Sequence, residues 1–107
     1  MELKAGVNPI GLRAEALLAI HVVDQVYREF GHELVVTSIN DGKHGDNSYH
    51  YRGLAFDCRT RYFSSPQMAD DVAFAVRRKL GRLYDVVVES DHIHVEFDER
   101  RAERAKA

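Results

Sequence analysis

The residues of this chain best suited to chemistry stand in two short stretches, 48–57 and 91–94. The first contains His50 and Asp57, with Gly53 between them, and the second contains His92 and His94. Imidazole and carboxylate groups are the ligands of catalytic zinc sites, which take three from the protein and leave one position for water. His50, Asp57 and His94 could therefore form a set of zinc ligands.

The spacing sets conditions on that set. Residues seven apart on an uninterrupted strand point to opposite faces, so His50 and Asp57 converge only if the backbone is irregular between them, and Gly53 offers that irregularity. His92 and His94 share a face of a strand, so one could bind metal while the other contacts the substrate or the developing oxyanion. The spacing alone does not decide which histidine does which.

A general base and substrate contacts can be sought close by. The acidic candidates are Asp91, Glu89 and, further along, Glu96. We favour Asp91, because a turn residue three positions before His94 can bend back over the metal. On the substrate side, the Ser48 hydroxyl lies on the same side of an extended segment as His50 and could hold a carboxylate or carbonyl.

The preceding loop adds His44 and Lys43 as polarising groups.

A structural interpretation competes with the chemical one: Asp57 could pair with Arg59, and His92 and His94 could be exposed strand residues. Cys58 is better explained as a small buried apolar residue than as a nucleophile, because its neighbours include no dedicated base.

Length and composition limit the classes of protein. A chain of 107 residues with 45% hydrophobic content fits one domain with one core, residues 1–107. The net charge of −2 predicts no nucleic-acid partner, and the single cysteine excludes an internal disulfide and a thiolate zinc finger. The start of the chain does not resemble a signal peptide and no apolar run is long enough for a membrane span, so we expect synthesis in the cytoplasm and no membrane partner.

The elements that must position these residues follow from periodicity. Apolar residues at three- and four-residue steps predict a helix at about 12–30, and Ser65 with Pro66 begins a second helix that Gly81 closes. Strands are predicted at 34–38, 55–60, 84–89 and 92–97, and a frayed, charged helical tail at 98–107. The order indicates an α+β fold with two helices packed on a small antiparallel sheet.

The combined pattern Ser48-x-His50-x-x-Gly53-x-Ala55-x-Asp57 and, about thirty-five residues later, His92-x-His94 resembles the D-Ala-D-Ala metallopeptidase family and its hedgehog relatives. The resemblance covers about residues 35–97, and the residues around the motif look especially like those of the hedgehog signalling domain and small phage-type carboxypeptidases. It implies a fold of that type, a Zn²⁺ cofactor, and a peptidoglycan peptide as substrate, cut at a D-Ala-D-Ala or L-Ala-D-Glu bond. Action at the cell wall would then need an export or delivery route without a signal peptide.

The resemblance also implies roles for individual residues. His50, Asp57 and His94 match the zinc ligands, and Asp91 stands where peptidases of the family carry an acidic base. His92 matches the first histidine of the family's His-x-His pair, and Ser48 matches a serine that binds substrate.

One family feature has no direct counterpart. Many members have an arginine for the substrate carboxylate near the end of the strand equivalent to 34–38, where this chain has Thr37-Ser38-Ile39-Asn40. Lys43 or Arg52 could replace it, or the substrate could be an internal peptide bond. The alternative function is a non-catalytic, zinc-containing binding or virion-structural module. The sequence does not give the oligomeric state, and a monomer is compatible with it.

Overall fold

A computed structural model of the protein describes residues 1–39 and 52–106. Five strands and three helices occur there. They are β1 (Glu2–Leu3), α1 (Ala14–Glu29), β2 (Val35–Ser38), β3 (Ala55–Arg59), α2 (Pro66–Leu80), β4 (Tyr84–Val88), β5 (His92–Phe97) and α3 (Glu99–Lys106). The strands form one sheet in the order β1-β2-β3-β5-β4. The predicted α+β class is confirmed.

Local chemistry explains where the two long helices begin and end. The Ser65 side chain accepts a hydrogen bond from the Met68 backbone N–H at 3.3 Å, and Pro66 opens α2 with a φ suited to a helix. Gly31 and Gly81 follow α1 and α2 with positive φ, which ends a helix at little steric cost. Neither long helix of the described ranges, nor α3, has the length and apolar character needed to cross a membrane.

The two faces of the sheet differ sharply. On β3 and β5 every second side chain points into the core beneath α1 and α2, and Phe56, Cys58, Ile93 and Val95 are all fully buried. We call this side the core face. The alternate residues lie on the opposite side, which we call the site face. Ala55 is buried there, and five others are only partly buried: Asp57, Arg59, His92, His94 and Glu96.

The prediction of a purely antiparallel sheet is wrong at one edge. β1 pairs with β2 in parallel, with Glu2 opposite Val35 and Leu3 opposite Val36, so the sheet is mixed. A two-residue strand is too short to show an alternating pattern. Its pairing depends on backbone hydrogen bonds such as that from Lys4 N–H to the Val36 carbonyl, at 2.9 Å.

The sequence predicts two packed helices and a frayed helical tail at 98–107, and in the structure the tail forms a third helix, α3. None of its residues is buried, so no apolar stripe marks it in the sequence. Its first turn is held by Asp98, whose side chain accepts hydrogen bonds from the backbone N–H groups of Arg100 and Arg101 at 3.0 and 3.3 Å. Glu99 forms ion pairs with Arg13 and Arg52, which connect α3 to the rest of the domain.

Gly53 lies just before β3, where two backbone segments come into contact. Its φ is +72°, and a Cβ atom placed there would lie 2.0 Å from the Gly11 carbonyl oxygen. Its own carbonyl accepts a hydrogen bond from Arg13 N–H at 2.9 Å. Only glycine fits this position, so the irregularity expected at Gly53 has a packing cause as well as a conformational one.

Candidate metal centre

Asp57 and His94 form the centre of the site face. They are direct cross-strand partners on β3 and β5, and Asp57 Oδ1 lies 2.9 Å from His94 Nδ1. Their side chains are 13% and 20% exposed, so a cation between them would be partly shielded from water. Two ligands bound to zinc at 2.0–2.1 Å in a tetrahedron lie about 3.3 Å apart, close to the separation of these two atoms.

Glu96 holds the other side of the His94 ring. Its Oε1 lies 2.7 Å from His94 Nε2, and the two residues are two positions apart on the same face of β5. A ring that donates Nε2–H to a carboxylate presents Nδ1 as its free lone pair, which is the arrangement common for metal-binding histidines. Glu96 therefore suits the role of a residue that orients His94.

The environment favours a positively charged His94 ring when no metal is bound. Burial disfavours the charged ring, but hydrogen bonds with Asp57 and Glu96 and the charges of both carboxylates outweigh it and raise the pKa of His94 to about 9. The same two carboxylates would stabilise any cation that replaced the proton at Nδ1. The donors fit zinc in chemical type, since zinc binds imidazole nitrogen and carboxylate oxygen.

His92 and Asp91 form a second pair beside the first. His92 Nδ1 lies 2.7 Å from Asp91 Oδ1, and His92 Nε2 lies 3.7 Å from Asp57 Oδ1. The hydrogen bond with the His92 ring lowers the pKa of the Asp91 carboxyl, whose side chain is 75% exposed. Asp91 is thus placed to hold the His92 ring, with the opposite ring nitrogen directed towards Asp57.

Four of the predicted site residues, His50, Ser48, His44 and Lys43, lie outside the described residues. Within ranges 1–39 and 52–106 no group of three or more His, Cys, Asp or Glu side chains could hold a metal ion. The structure thus brings together Asp57 and His94, two of the three predicted ligands, and says nothing of the third.

The predicted substrate residue Arg52 forms an ion pair with Glu99. Glu99 follows the C-terminal end of β5, whereas His92 begins that strand. The proposed pairing of Asp57 with Arg59 is not what the described residues show, because the ion pairs of Asp57 there are with His92 and His94. Arg59 lies opposite His92 in the β3–β5 register.

Cys58 belongs to the core face and not to the site. It is fully buried, and burial followed by the neighbouring Asp57 charge raises the pKa of its thiol. A thiol of raised pKa is a poor nucleophile and a poor metal ligand at neutral pH.

The site face therefore offers two functions side by side. One is a pair of metal-type donors backed by Glu96, and the other is an imidazole held by a carboxylate, which can donate or accept a proton. Glu96 was considered from the sequence only as a distant base candidate, although its position two residues after His94 already placed it on the same face.

Comparison of the chain with family models, with curated proteins and with solved structures finds no match.

Proposed function

We propose that this protein is a zinc-dependent peptidase that hydrolyses peptidoglycan stem peptides, at a D-Ala-D-Ala or an L-Ala-D-Glu bond. The observation that carries the proposal is the cross-strand pair of Asp57 Oδ1 and His94 Nδ1 at 2.9 Å, with Glu96 behind the imidazole. The two-part sequence motif supports it, since it resembles that of the D-Ala-D-Ala metallopeptidases and hedgehog domains. A fold of that type is part of the proposal.

Three side chains would hold the metal. Asp57 and His94 supply two ligands from paired strands, and His50 is proposed as the third. A zinc ion held there would polarise the scissile carbonyl and lower the pKa of a bound water to near 7. Glu96 accepts the His94 Nε2–H and so keeps Nδ1 directed at the ligand position.

Proton transfer would fall to Asp91 and His92. Asp91 Oδ1 bonds His92 Nδ1, which leaves Nε2 to exchange a proton or to donate to a developing oxyanion near Asp57. The lowered pKa of Asp91 makes it a weaker base on its own, so we assign proton transfer to the pair and not to Asp91 alone.

Metal binding is the first test. Elemental analysis of the purified protein should give one zinc per chain, and His94→Ala and His50→Ala should each lower the zinc content while thermal unfolding stays cooperative. Leu18→Ala, on the exposed surface of α1, is the control and should bind zinc like the wild type. Full zinc retention in either histidine variant would remove that residue from the ligand set.

Hydrolysis is the second test. Zinc-loaded protein is incubated with purified peptidoglycan of several stem-peptide types, and newly formed amino groups are counted. We expect release that is lost in His94→Ala and strongly reduced in Asp91→Asn and His92→Gln. The absence of release from every wall type by zinc-loaded wild type would refute the peptidase.

The second candidate function is a zinc-containing module without turnover. It is favoured by one observation, the lowered pKa of Asp91, because the residue proposed as the base is then a weaker proton acceptor at neutral pH. One zinc per chain together with tight peptidoglycan binding and no hydrolysis would establish this alternative.

A further inference from the structure

We propose that a pocket beyond the end of β3 binds the sugar to which a stem peptide is attached, so that the bond cut is the one nearest the glycan, L-Ala-D-Glu. The pocket has a volume of about 410 Å³ and lies between the residues after β3, the start of α2 and the turn that joins β4 to β5. The assignment of its ligand to peptidoglycan rests on the proposed peptidase function. The affinity of the pocket for a saccharide does not.

The lining of the pocket suits a sugar ring, which has C–H groups on its two faces and hydroxyl groups around its rim. Phe63 and Val88 supply apolar surface for the faces. Small-molecule pockets of about 300–1,000 Å³ combine such surface with a few polar groups that fix orientation. Hydroxyl and carboxylate groups of the lining can exchange hydrogen bonds with the rim of a sugar: Ser64, Ser90, Asp70 and Glu89.

The aromatic ring in this lining is held in place from behind. The ring centroid of Phe63 lies 5.4 Å from that of Tyr27, 5.0 Å from that of His32 and 5.5 Å from that of Tyr62. Phe63 is nevertheless only partly buried. Because a ring packed in this way has little freedom to lose, contact with a ligand costs little side-chain entropy.

The charge of the pocket argues against an anionic ligand. Arg61 is the one cation among its lining residues, whereas Asp70 and Glu89 are both carboxylates. Carboxylates accept hydrogen bonds from hydroxyl groups, and a hydrogen bond with an ionised acceptor is stronger than one between neutral groups. A neutral ligand rich in hydroxyl groups therefore fits better than a phosphate or a free acid.

The pocket adjoins the candidate metal centre. Arg61 also lines the smaller pocket that contains Asp91 and His92. The Glu89 N–H donates to the His92 carbonyl at 2.8 Å, which joins the wall of the pocket to the first residue of β5. Residues 60 and 61 follow Asp57 by three and four positions, so their Cα atoms lie at most roughly 14 Å from that of Asp57.

This distance separates the two bonds of the proposed function. In peptidoglycan only the lactyl group and L-Ala lie between the sugar and the L-Ala-D-Glu bond, a span of roughly 7 Å when extended. Five units of this length lie between the sugar and the D-Ala-D-Ala bond, a span of roughly 17 Å before the sugar itself is counted. The adjoining pocket therefore fits a sugar next to the first bond, whereas the second would require the peptide to fold back.

An internal bond also agrees with the sequence of β2 and the two residues after it. An internal peptide bond needs no clamp for a terminal carboxylate. The chain has Thr37-Ser38-Ile39-Asn40 where many members of the resembling family have the arginine that forms this clamp.

Binding of non-cleavable analogues tests the pocket without depending on turnover. The first ligand is N-acetylmuramyl-L-Ala-D-isoglutamine in which a CH₂–NH link replaces the amide between L-Ala and D-isoglutamine. The second ligand is identical except that a lactyl group replaces the whole muramyl group. Dissociation constants are measured by calorimetry in the presence of zinc.

We expect the wild type to bind the muramyl ligand about tenfold or more tightly than the lactyl ligand, as one or two added hydrogen bonds and the ring contact predict. Asp70→Asn should lower this preference about threefold or more, because a charged acceptor becomes neutral. Phe63→Leu should lower it similarly, and cooperative thermal unfolding checks that this variant is folded. Asp71→Asn is the matched control and should keep the preference, since Asp71 accepts a hydrogen bond from Gln67 and is not among the residues that line the pocket.

Three results would overturn the saccharide site: equal binding of the two ligands, no measurable binding of the muramyl ligand, or a preference that is unchanged in both Asp70→Asn and Phe63→Leu. If the wall is hydrolysed, dinitrophenyl labelling identifies the residue that carries each new amino group. Label on glutamate is expected, and label on alanine would overturn the assignment of the L-Ala-D-Glu bond.

The peptidase proposal fails separately. A protein that prefers the muramyl ligand through Phe63 and Asp70 but releases no amino groups from any wall keeps the saccharide site and loses the hydrolytic function. A protein that hydrolyses the wall and binds the two ligands equally keeps the hydrolytic function and loses the saccharide site.

Discussion

The two faces of the central sheet use neighbouring residues for opposite purposes. On β5 the core face presents Ile93 and Val95, both fully buried, while the site face presents His92, His94 and Glu96, all partly exposed. β3 repeats the division with Phe56 and Cys58 on one side and Asp57 and Arg59 on the other. Stability and candidate chemistry are thus separated by a single residue step along each strand.

This separation lets the site face accumulate groups that would be costly inside the protein. Asp57, His94, Glu96 and His92 form a continuous set of acid–imidazole contacts within 3.7 Å. These side chains are not part of the hydrophobic core, which lies between the other face of the sheet and the helices. We therefore expect substitutions on the core face to lower stability and substitutions on the site face to lower zinc affinity.

The largest expected effect is a loss of stability on the core face. Ile93→Ala should lower the free energy of unfolding by about 2–5 kcal/mol, because the side chain is fully buried and leaves a cavity. Urea denaturation followed by circular dichroism measures the change. Val87→Ala, opposite His94 on the partly exposed side of β4, is the control and should cost clearly less. Equal losses would contradict the division into two faces.

The next effect concerns metal affinity on the site face. Glu96→Gln should weaken zinc binding by about 10–100-fold, because the Nε2–H of His94 loses its charged acceptor. Competition with a zinc chelator at fixed pH measures the change. Glu89→Gln, at the exposed end of the β4–β5 turn, should leave the zinc affinity as it is. If Glu96→Gln binds zinc like the wild type, Glu96 does not orient a metal ligand.

A smaller effect marks a carboxylate that serves the fold and not the site. Asp98→Ala should lower the free energy of unfolding by about 1 kcal/mol near neutral pH through loss of the α3 cap. Burial opposes ionisation of this carboxyl, but hydrogen bonds from Arg101 and Arg100 N–H outweigh it and lower its pKa.

The sign of the pH dependence follows. A carboxyl with a lowered folded pKa stabilises the protein above its unfolded pKa of about 3.9 and loses that contribution as the pH falls through the folded value. The difference between wild type and Asp98→Ala should be constant from about pH 5 to 8, where the carboxyl is ionised in both the folded and the unfolded protein, and shrink below about pH 4. A difference that persists unchanged at low pH would show that the Asp98 charge is not involved.

The smallest expected effect separates two roles of Arg52. Its ion pair with Glu99 is half-exposed, so Arg52→Gln should cost under about 1 kcal/mol of stability. If Arg52 acts only there, hydrolysis of stem peptides should change by no more than about twofold. A loss of activity together with unchanged stability would instead restore Arg52 as a substrate-binding residue.

Much of the scaffold could be predicted from the sequence because long elements carry periodic patterns. The spacing of Val72, Ala73 and Val76 with the Ser65-Pro66 start was enough to place α2 within a residue of its bounds. The sequence does not predict β1, and it predicts α3 only as a frayed tail, for a physical reason in each case. Two residues cannot show a period, and a helix without buried residues depends on its cap and on ion pairs to distant residues.

The site divides in the same way. Alternation predicted that His92 and His94 share a face, because that is a local property of a strand. The pairing of Asp57 with His94 depends on the register of strands distant in sequence, which no local pattern specifies. Lys4 from the N-terminal edge lines one pocket together with Arg59 and Arg61, and this convergence has the same origin, so it could not be predicted from residue spacing.

The contact of Gly53 with Gly11 also limits how this protein can evolve. A side chain at residue 53 would push back the segment that precedes α1, and that segment can yield only if residue 11 and its neighbours change with it. Gly11 also has a positive φ, +83°, so substitution there is restricted on its own account. In related sequences, residues 11 and 53 should therefore change together or not at all. A pair of glycines about forty residues apart would indicate that a related sequence keeps this backbone contact before β3, and with it the position of Asp57.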